Sequence, residues 1–230
     1  MNVKEEYLKV LAGSPLFAGI DTGDRSTMLS CLSAEKRNYN KDEYVFHAGD
    51  RVASIGLLLT GRLNVIKEDY WGNRDIVTVV QPGETFAESY ACSLEASVGV
   101  SVQASQNSEV LLMDIRRVMQ TCSSACAFHS RLIRNLVTLL ASRNLRFNEK
   151  LTHVMQRRTR DKILSYLSSE SQKQKTSYFD IPFDRQQLAD YLGVDRSALS
   201  SELSAMKKEK ILDYEKNHFM LNKDHVRQEL

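Results

Sequence analysis

The segment from Asp184 to Lys208 constrains the fold more tightly than any other part of the chain. Asp184 is a good N-cap for a helix over Arg185 to Leu192, because a carboxylate accepts from the unpaired N–H groups of a first turn. Gly193 permits the positive φ of a tight turn. Asp195 then caps a second helix from Arg196 to about Lys208. Leu188, Ala189, Leu192, Val194, Leu199, Leu203 and Met206 form a small core between the two helices. Two short helices joined through Leu192-Gly193-Val194-Asp195 make a helix-turn-helix. Ile211 to Tyr214 and Phe219 to Leu221, split by Lys216-Asn217-His218, follow as a β-hairpin wing.

This arrangement carries a chemical expectation. In a helix-turn-helix, the start of the second helix enters the major groove. Arg196, Ser197, Ser200 and Ser201 are therefore expected at base edges or adjacent phosphates. Arginine can bond both acceptors of a guanine, and serine is small enough to serve bases or backbone. Arg185 and Gln186, at the start of the first helix, are expected to touch phosphates. Both helix N-termini are expected to offer free N–H groups to phosphate.

Charge alone neither supports nor opposes this reading. The 230 residues carry 31 Lys+Arg and 29 Asp+Glu, a formal +2, which excludes a strongly basic nucleic-acid packager. Residues 153–230 hold 14 Lys+Arg and 12 Asp+Glu, so even the DNA-binding region is near neutral. Few basic contacts per subunit imply that affinity depends on two subunits sharing one palindrome, with weak, salt-sensitive non-specific binding. The first residues lack the apolar core of a signal peptide, and no apolar run suits a membrane span. The expected location is the cytoplasm, with no membrane partner.

Upstream the texture divides. Residues 1–40 read as short helices and loops, with a break at Ser14-Pro15-Leu16-Phe17 and a helix start at Asp21-Thr22-Gly23-Asp24. Short apolar runs then follow at Tyr44–His47, Ile55–Leu59, Leu63–Ile66, Ile76–Val80, Val98–Val102 and Val110–Met113. Gly turns punctuate them, which argues for an antiparallel sandwich or roll. Residues 125–158 contain neither Gly nor Pro. There Ile133, Val137, Leu140, Asn144, Phe147, Leu151 and Val154 recur at alternating steps of four and three, a heptad seam with one polar position. Leu132, Leu136 and Leu139 supply a second stripe to face the β-domain. The seam reads as a dimerisation helix, with Ile133, Val137, Leu140, Asn144, Phe147 and Leu151 at the interface. After a helix at Asp161–Leu167, the polar run Ser168–Ser177 reads as a loop before a strand at Phe179–Phe183.

The run Leu188-Ala189-Asp190-Tyr191-Leu192-Gly193-Val194-Asp195-Arg196-Ser197-Ala198-Leu199-Ser200-Ser201-Glu202-Leu203 resembles the DNA-binding motif of the cyclic-AMP receptor protein/fumarate–nitrate regulator (CRP/FNR) superfamily. Ser14-Pro15-Leu16-Phe17, Gly49-Asp50, Gly61-Arg62-Leu63 and Pro82 to Glu88 are similar to that family's N-terminal and β-roll turns, in the same order. The resemblance implies an α+β chain in three parts. These are a cyclic-nucleotide-binding-type β-roll, or double-stranded β-helix, over 1–125, a dimerisation helix over 126–157, and a winged helix-turn-helix over 158–230. It further implies a homodimeric transcription regulator that binds double-stranded DNA, with RNA polymerase as a further partner. A signal in the roll would reposition the two winged helices.

Two positions depart from the family pattern. Ser201 stands where the family's recognition helix has Arg, which shifts readout toward Arg196, the serines and DNA shape. In the effector pocket (Glu88, Ser89, Ala96, Ser97), Glu88 resembles the ribose-binding Glu and Ser97 the phosphate-binding Ser, but Ala96 takes the place of the Arg. No basic residue lies between Arg74 and Arg116 to replace it. A cyclic phosphate would lack its bidentate partner, so cyclic AMP is not expected and no cofactor is assigned.

Other chemistries find little support. Cys122 and Cys126 could share a helix face, but two thiols do not complete a four-ligand metal site, and structural cysteines are expected. His47 is the one histidine in the roll and reads as a surface residue, while His129, His153, His218 and His225 lie outside it. A metal-dependent oxygenase needs several His and a carboxylate converging inside the roll, so no enzyme is expected. The competing expectation is an effector-binding or scaffold protein with a degenerate helix-turn-helix.

Overall fold

Alternation within the central strands of the first half of the chain builds its two cores. The structure is a computed structural model that describes residues 5–93, 95–120 and 127–222; Cys122, Cys126 and His225 lie outside them. The opening elements are α1 (Glu5–Gly13), a 3-10 turn at Pro15–Phe17, α2 (Thr22–Cys31), β1 (Glu35–Tyr39) and β2 (Tyr44–Phe46). Then come β3 (Ser54–Thr60), β4 (Leu63–Glu68), β5 (Arg74–Val80), β6 (Thr85–Phe86) and α3 (Glu88–Cys92). β7 (Ser101–Ala104), β8 (Ser108–Asp114) and α4 (Ile115–Met119) close this part. One antiparallel sheet runs β1-β8-β3-β6 and the other β2-β7-β4-β5.

On β3, Ile55, Leu57 and Leu59 join Leu111 and Met113 of β8 in a core shared with α1 and α2. Leu58 joins Val110, Leu112, Leu63 and Phe86 in a second core between the strands. Successive strand residues point to opposite faces, so one apolar run serves both. Gly56 admits the Phe86 ring: a Cβ there would come within 2.2 Å of it.

Several strand and helix boundaries differ from expectation, among them the strand expected over Phe179–Phe183, which spans Tyr178–Asp180. β1 replaces part of the helix-and-loop region, because Glu35-Lys36-Arg37-Asn38-Tyr39 is an edge strand with little apolar content to announce it. β7 begins at Ser101 rather than Val98, and Val98 is instead a buried loop residue whose N–H donates to the Asp50 carbonyl at 2.9 Å. α6 (Thr159–Gln174) continues through most of the polar run taken for a loop. Its added turns are held from the side: Ser169 Oγ donates to Glu149 at 2.6 Å and Lys173 pairs with the same carboxylate at 2.6 Å. The helix stops where Lys175 turns left-handed at φ 55°.

α5 (Ala127–Val154) is 28 residues long, consistent with its lack of helix breakers. The chain divides into two compact units, Met1–Ser142 and Arg143–Leu230. In the first, Phe128, Leu132 and Leu136 of α5 are buried in the core with α1 and α2, and Leu140 packs half-buried against it. Leu139, expected on this stripe, is half-buried. Asn135 Nδ2 donates to the Leu16 and Ala18 carbonyls at 3.0 and 2.9 Å, seating the Ser14–Phe17 turn.

The second unit continues with β9 (Tyr178–Asp180), α7 (Arg185–Leu192), α8 (Arg196–Lys208), β10 (Leu212–Glu215) and β11 (His218–Leu221). Its sheet runs β10-β11-β9. Leu188, Ala189, Leu192, Leu199, Leu203 and Met206 are fully buried with Ile163, Leu167 and Phe219, and Val194 packs against them. Arg160 of α6 grips Glu209 through two nitrogens at 2.7 and 2.8 Å and Glu202 at 2.7 Å, tying α6 to the end of α8. Glu209 is the first cause of the rise in the Arg160 pKa.

A buried histidine makes this unit sensitive to pH. His153 is 3% exposed, with Nδ1 2.7 Å from Ser165 Oγ and its ring edge-on to Tyr166. Burial lowers its pKa, against the weaker opposing pull of Glu149 at 4.0 Å. Burial also lowers that of His129 in the first unit. The unfolded chain therefore binds more protons, so stability is complete above the ordinary imidazole range and falls as pH drops toward the folded-state values. Urea midpoints should decline between pH 7.5 and 5, and less steeply in the His153→Gln variant. An identical slope in both proteins would contradict this.

Candidate nucleic-acid interface

Local side-chain chemistry sets both helix starts. Asp184 accepts from the Gln187 N–H at 2.8 Å, and the Gln187 side chain accepts from the Asp184 N–H at 2.9 Å, a complete capping box. Gly193 adopts φ 61° and ends α7. Asp195 accepts from the N–H groups of Ser197 and Ala198 at 2.7 and 3.2 Å, and from Ser197 Oγ. The Ser197 hydroxyl is the first cause that holds the Asp195 carboxyl below its usual range. The caps take the N–H groups of Gln187, Ser197 and Ala198, so fewer are free for phosphate at the two helix starts than expected.

The candidate contact residues separate by what they already hold. Arg196 is exposed and its side chain makes no hydrogen bond or ion pair among the described residues. Ser201 is likewise exposed one turn further on. Ser197 and Ser200 are engaged, the former on Asp195 and the latter donating to the Arg196 carbonyl at 2.9 Å. Gln186 donates to Asp190 at 2.8 Å. Arg185 differs most from expectation: it is half-buried, with its guanidinium 4.6 Å from the Tyr214 ring centroid and 5.2 Å from that of Phe219. Desolvation lowers its pKa.

Arg185, Arg196, Lys216, Asn217 and Gln186 line one open cleft of about 730 Å³. Three cations against the single carboxylate of Asp184 on its wall favour an anion such as a phosphate diester. Sequence reasoning left Lys216 out of the contact set. A basic residue at the tip of a short hairpin is the signal that would have found it.

In the roll, Glu88 opens α3 and is 1% exposed, following Ala87 in the left-handed region at φ 61°. Ser89 and Ser97 are exposed and Ala96 is half-buried. His47 is exposed and stacks on Tyr44. On α5, Val137, Phe147 and Leu151 are 56%, 65% and 40% exposed, beside Leu145 at 69%. Ile133 is half-buried, and the exposed Asn144 accepts from Asn148 Nδ2 at 2.7 Å.

The sequence model of the cyclic nucleotide-binding domain family matches residues 36–125, and that of the Crp-like helix-turn-helix domain matches residues 130–227. The HTH-type transcriptional regulator ArcR of Staphylococcus epidermidis is 23% identical over 193 residues, 82% of either chain. Among solved structures, the c-di-GMP responsive global regulator CLP of Xanthomonas campestris is similar over 87% of this chain and 99% of its own. Its identity is 18% and its TM-score 0.53. CprK, solved in complex with OCPA, is similar over 86% of this chain and 88% of its own, with 14% identity and a TM-score of 0.54. Both structures share the fold.

Proposed function

The chain belongs to the CRP/FNR superfamily of transcription regulators, with a cyclic nucleotide-binding domain followed by a Crp-like helix-turn-helix, and on that premise we propose that it works as a homodimer on a palindromic operator. The observation that carries this reading is Arg196, an exposed cation at the start of the recognition helix in a cleft shared with Lys216. Direct base readout falls to Arg196, with Ser201 exposed further along α8. Lys216 meets the flanking backbone. Pairing through α5 is supported by its exposed apolar residues, since Val137, Leu145, Phe147 and Leu151 are costly to leave in water on one helix.

The same reading gives the β-roll the role of sensor, with a pocket around Glu88 and a ligand other than a cyclic nucleotide. Its support is the absence of any Lys or Arg in the sequence between Arg74 and Arg116. Among the described residues no helix is long and apolar enough to cross a membrane, in keeping with action in the cytoplasm. Footprinting of the purified protein on its own upstream DNA tests the proposal. Two protected major-groove faces one helical turn apart are expected. Absence of protection at low salt would leave the scaffold reading in its place.

A further inference from the structure

Tyr214 of β10 is half-buried beneath cations from both helices of the helix-turn-helix. The Arg185 guanidinium comes from the first residue of α7, 4.6 Å from the ring centroid. Lys207 Nζ comes from the last turn of α8, 5.2 Å away. Arg185 also covers Phe219 of β11, which lies directly opposite Tyr214 in the hairpin register, their rings 5.7 Å apart. Lys207 is fixed in turn by an ion pair with Asp213 and by donation to the Tyr214 carbonyl at 3.3 Å.

Two features of Arg185 are unfavourable unless the stack compensates for them. Its Nη1 is hidden from solvent and has no hydrogen-bond partner. A cation in the first turn of a helix also opposes the helix dipole. A flat, weakly hydrated guanidinium stacks on aromatic faces in a way a compact ammonium does not. Arg185 is therefore committed to the wing, away from the solvent-facing position its sequence location suggests.

The consequence lies at the hairpin tip. Glu215 pairs with His218, leaving Lys216-Asn217 as a two-residue turn with Lys216 at φ 54°. Asn217 ties the turn to β9, with its carbonyl accepting from the Ile181 N–H at 3.0 Å and Nδ2 donating to the Ile181 carbonyl at 3.2 Å. That bond joins the hairpin to its own sheet. The Tyr214 stack joins the hairpin to α7 and α8.

We propose that Arg185 is a positioning residue of the DNA interface, whose stack on Tyr214 and Phe219 holds Lys216 in the same cleft as Arg196. This rests on the DNA-binding reading above. Arg185 acts through the wing, and Lys216 meets the phosphate.

The test uses the full-length protein and a DNA site recovered from a random pool. Tyr214→Phe keeps the aromatic face and should bind within about twofold of the parent. Tyr214→Leu should weaken binding about tenfold, and Arg185→Lys, which keeps the charge but not the plane, by a similar factor. Lys216→Ala should cost about fivefold in the parent but less than about twofold in the Tyr214→Leu background, the non-additivity of a residue already displaced. Amide exchange over Asp213–His218 without DNA reads the seat itself. It should quicken in Tyr214→Leu and Arg185→Lys and stay unchanged in Tyr214→Phe, with circular dichroism confirming the fold. Arg185→Lys serves if Tyr214→Leu fails to fold. Unchanged exchange in the folded variants would overturn the seat, and equal cost of Lys216→Ala in both backgrounds would overturn its role in positioning. A parent protein that binds no DNA but shows the exchange pattern would overturn the DNA reading, and the positioning role with it, while leaving the stack intact.

Discussion

Replacing Arg196 with alanine should weaken operator binding by about 1–3 kcal/mol for each recognition helix and relax sequence preference at one base pair per half-site. The expectation follows from what surrounds the side chain. Asp195 takes two of the first-turn N–H groups of α8, so the backbone there has less to offer a phosphate. Ser197 and Ser200 spend their hydroxyl protons on Asp195 and the Arg196 carbonyl. Arg196 is left with all its donors outward, in a geometry suited to both acceptors of a guanine. Arg196→Lys should therefore lose the preference for that base while retaining part of the affinity, because an ammonium supplies charge without the fork. Binding titrations on the operator and on its single-base variants check both points. Unchanged affinity and preference in Arg196→Ala would move base readout to another residue.

Replacing Phe147 with glutamate should convert the proposed dimer into a monomer and lower operator affinity by more than about 100-fold, since two half-sites would then be bound separately. Phe147 is 65% exposed and belongs to the second unit, where its side chain serves no core. A carboxylate there removes apolar area from the proposed seam and places two like charges near the two-fold axis. Leu140 is a poorer choice, because it packs against the core of the first unit and its replacement would perturb folding. Sedimentation velocity with a DNA titration separates the outcomes. A persistent dimer with normal affinity would place the interface elsewhere than α5.

The parts legible in the sequence were those whose causes are local. Asp184, Gly193 and Asp195 fix the limits of α7 and α8 through caps and a turn a few residues long, and both helices start where the aspartates imply. The wing hairpin and most strands of the roll followed for the same reason, from apolar runs closed by turn residues. The polar strand β1 is determined by its partner β8, which lies some 70 residues away and sets the pairing. α6 extends because Glu149 of another helix takes bonds from Ser169 and Lys173. Arg185 illustrates the same limit at the site: its position depends on Tyr214 and Phe219, which no spacing rule places beside it. The caps were legible from sequence while one consequence was not, since a capping carboxylate takes N–H groups that would otherwise face phosphate.

In the proposed mode of action, two copies of this chain read one inverted repeat through Arg196. Selection of bound sites from a random DNA pool by the purified protein, with and without cell metabolites, tests it most directly. Enrichment of a palindrome whose half-sites lie about 34 Å apart is expected, with loss of one selected base pair per half-site when Arg196→Ala is used. No enrichment, or enrichment of unpaired single half-sites with that base retained in the variant, would contradict it.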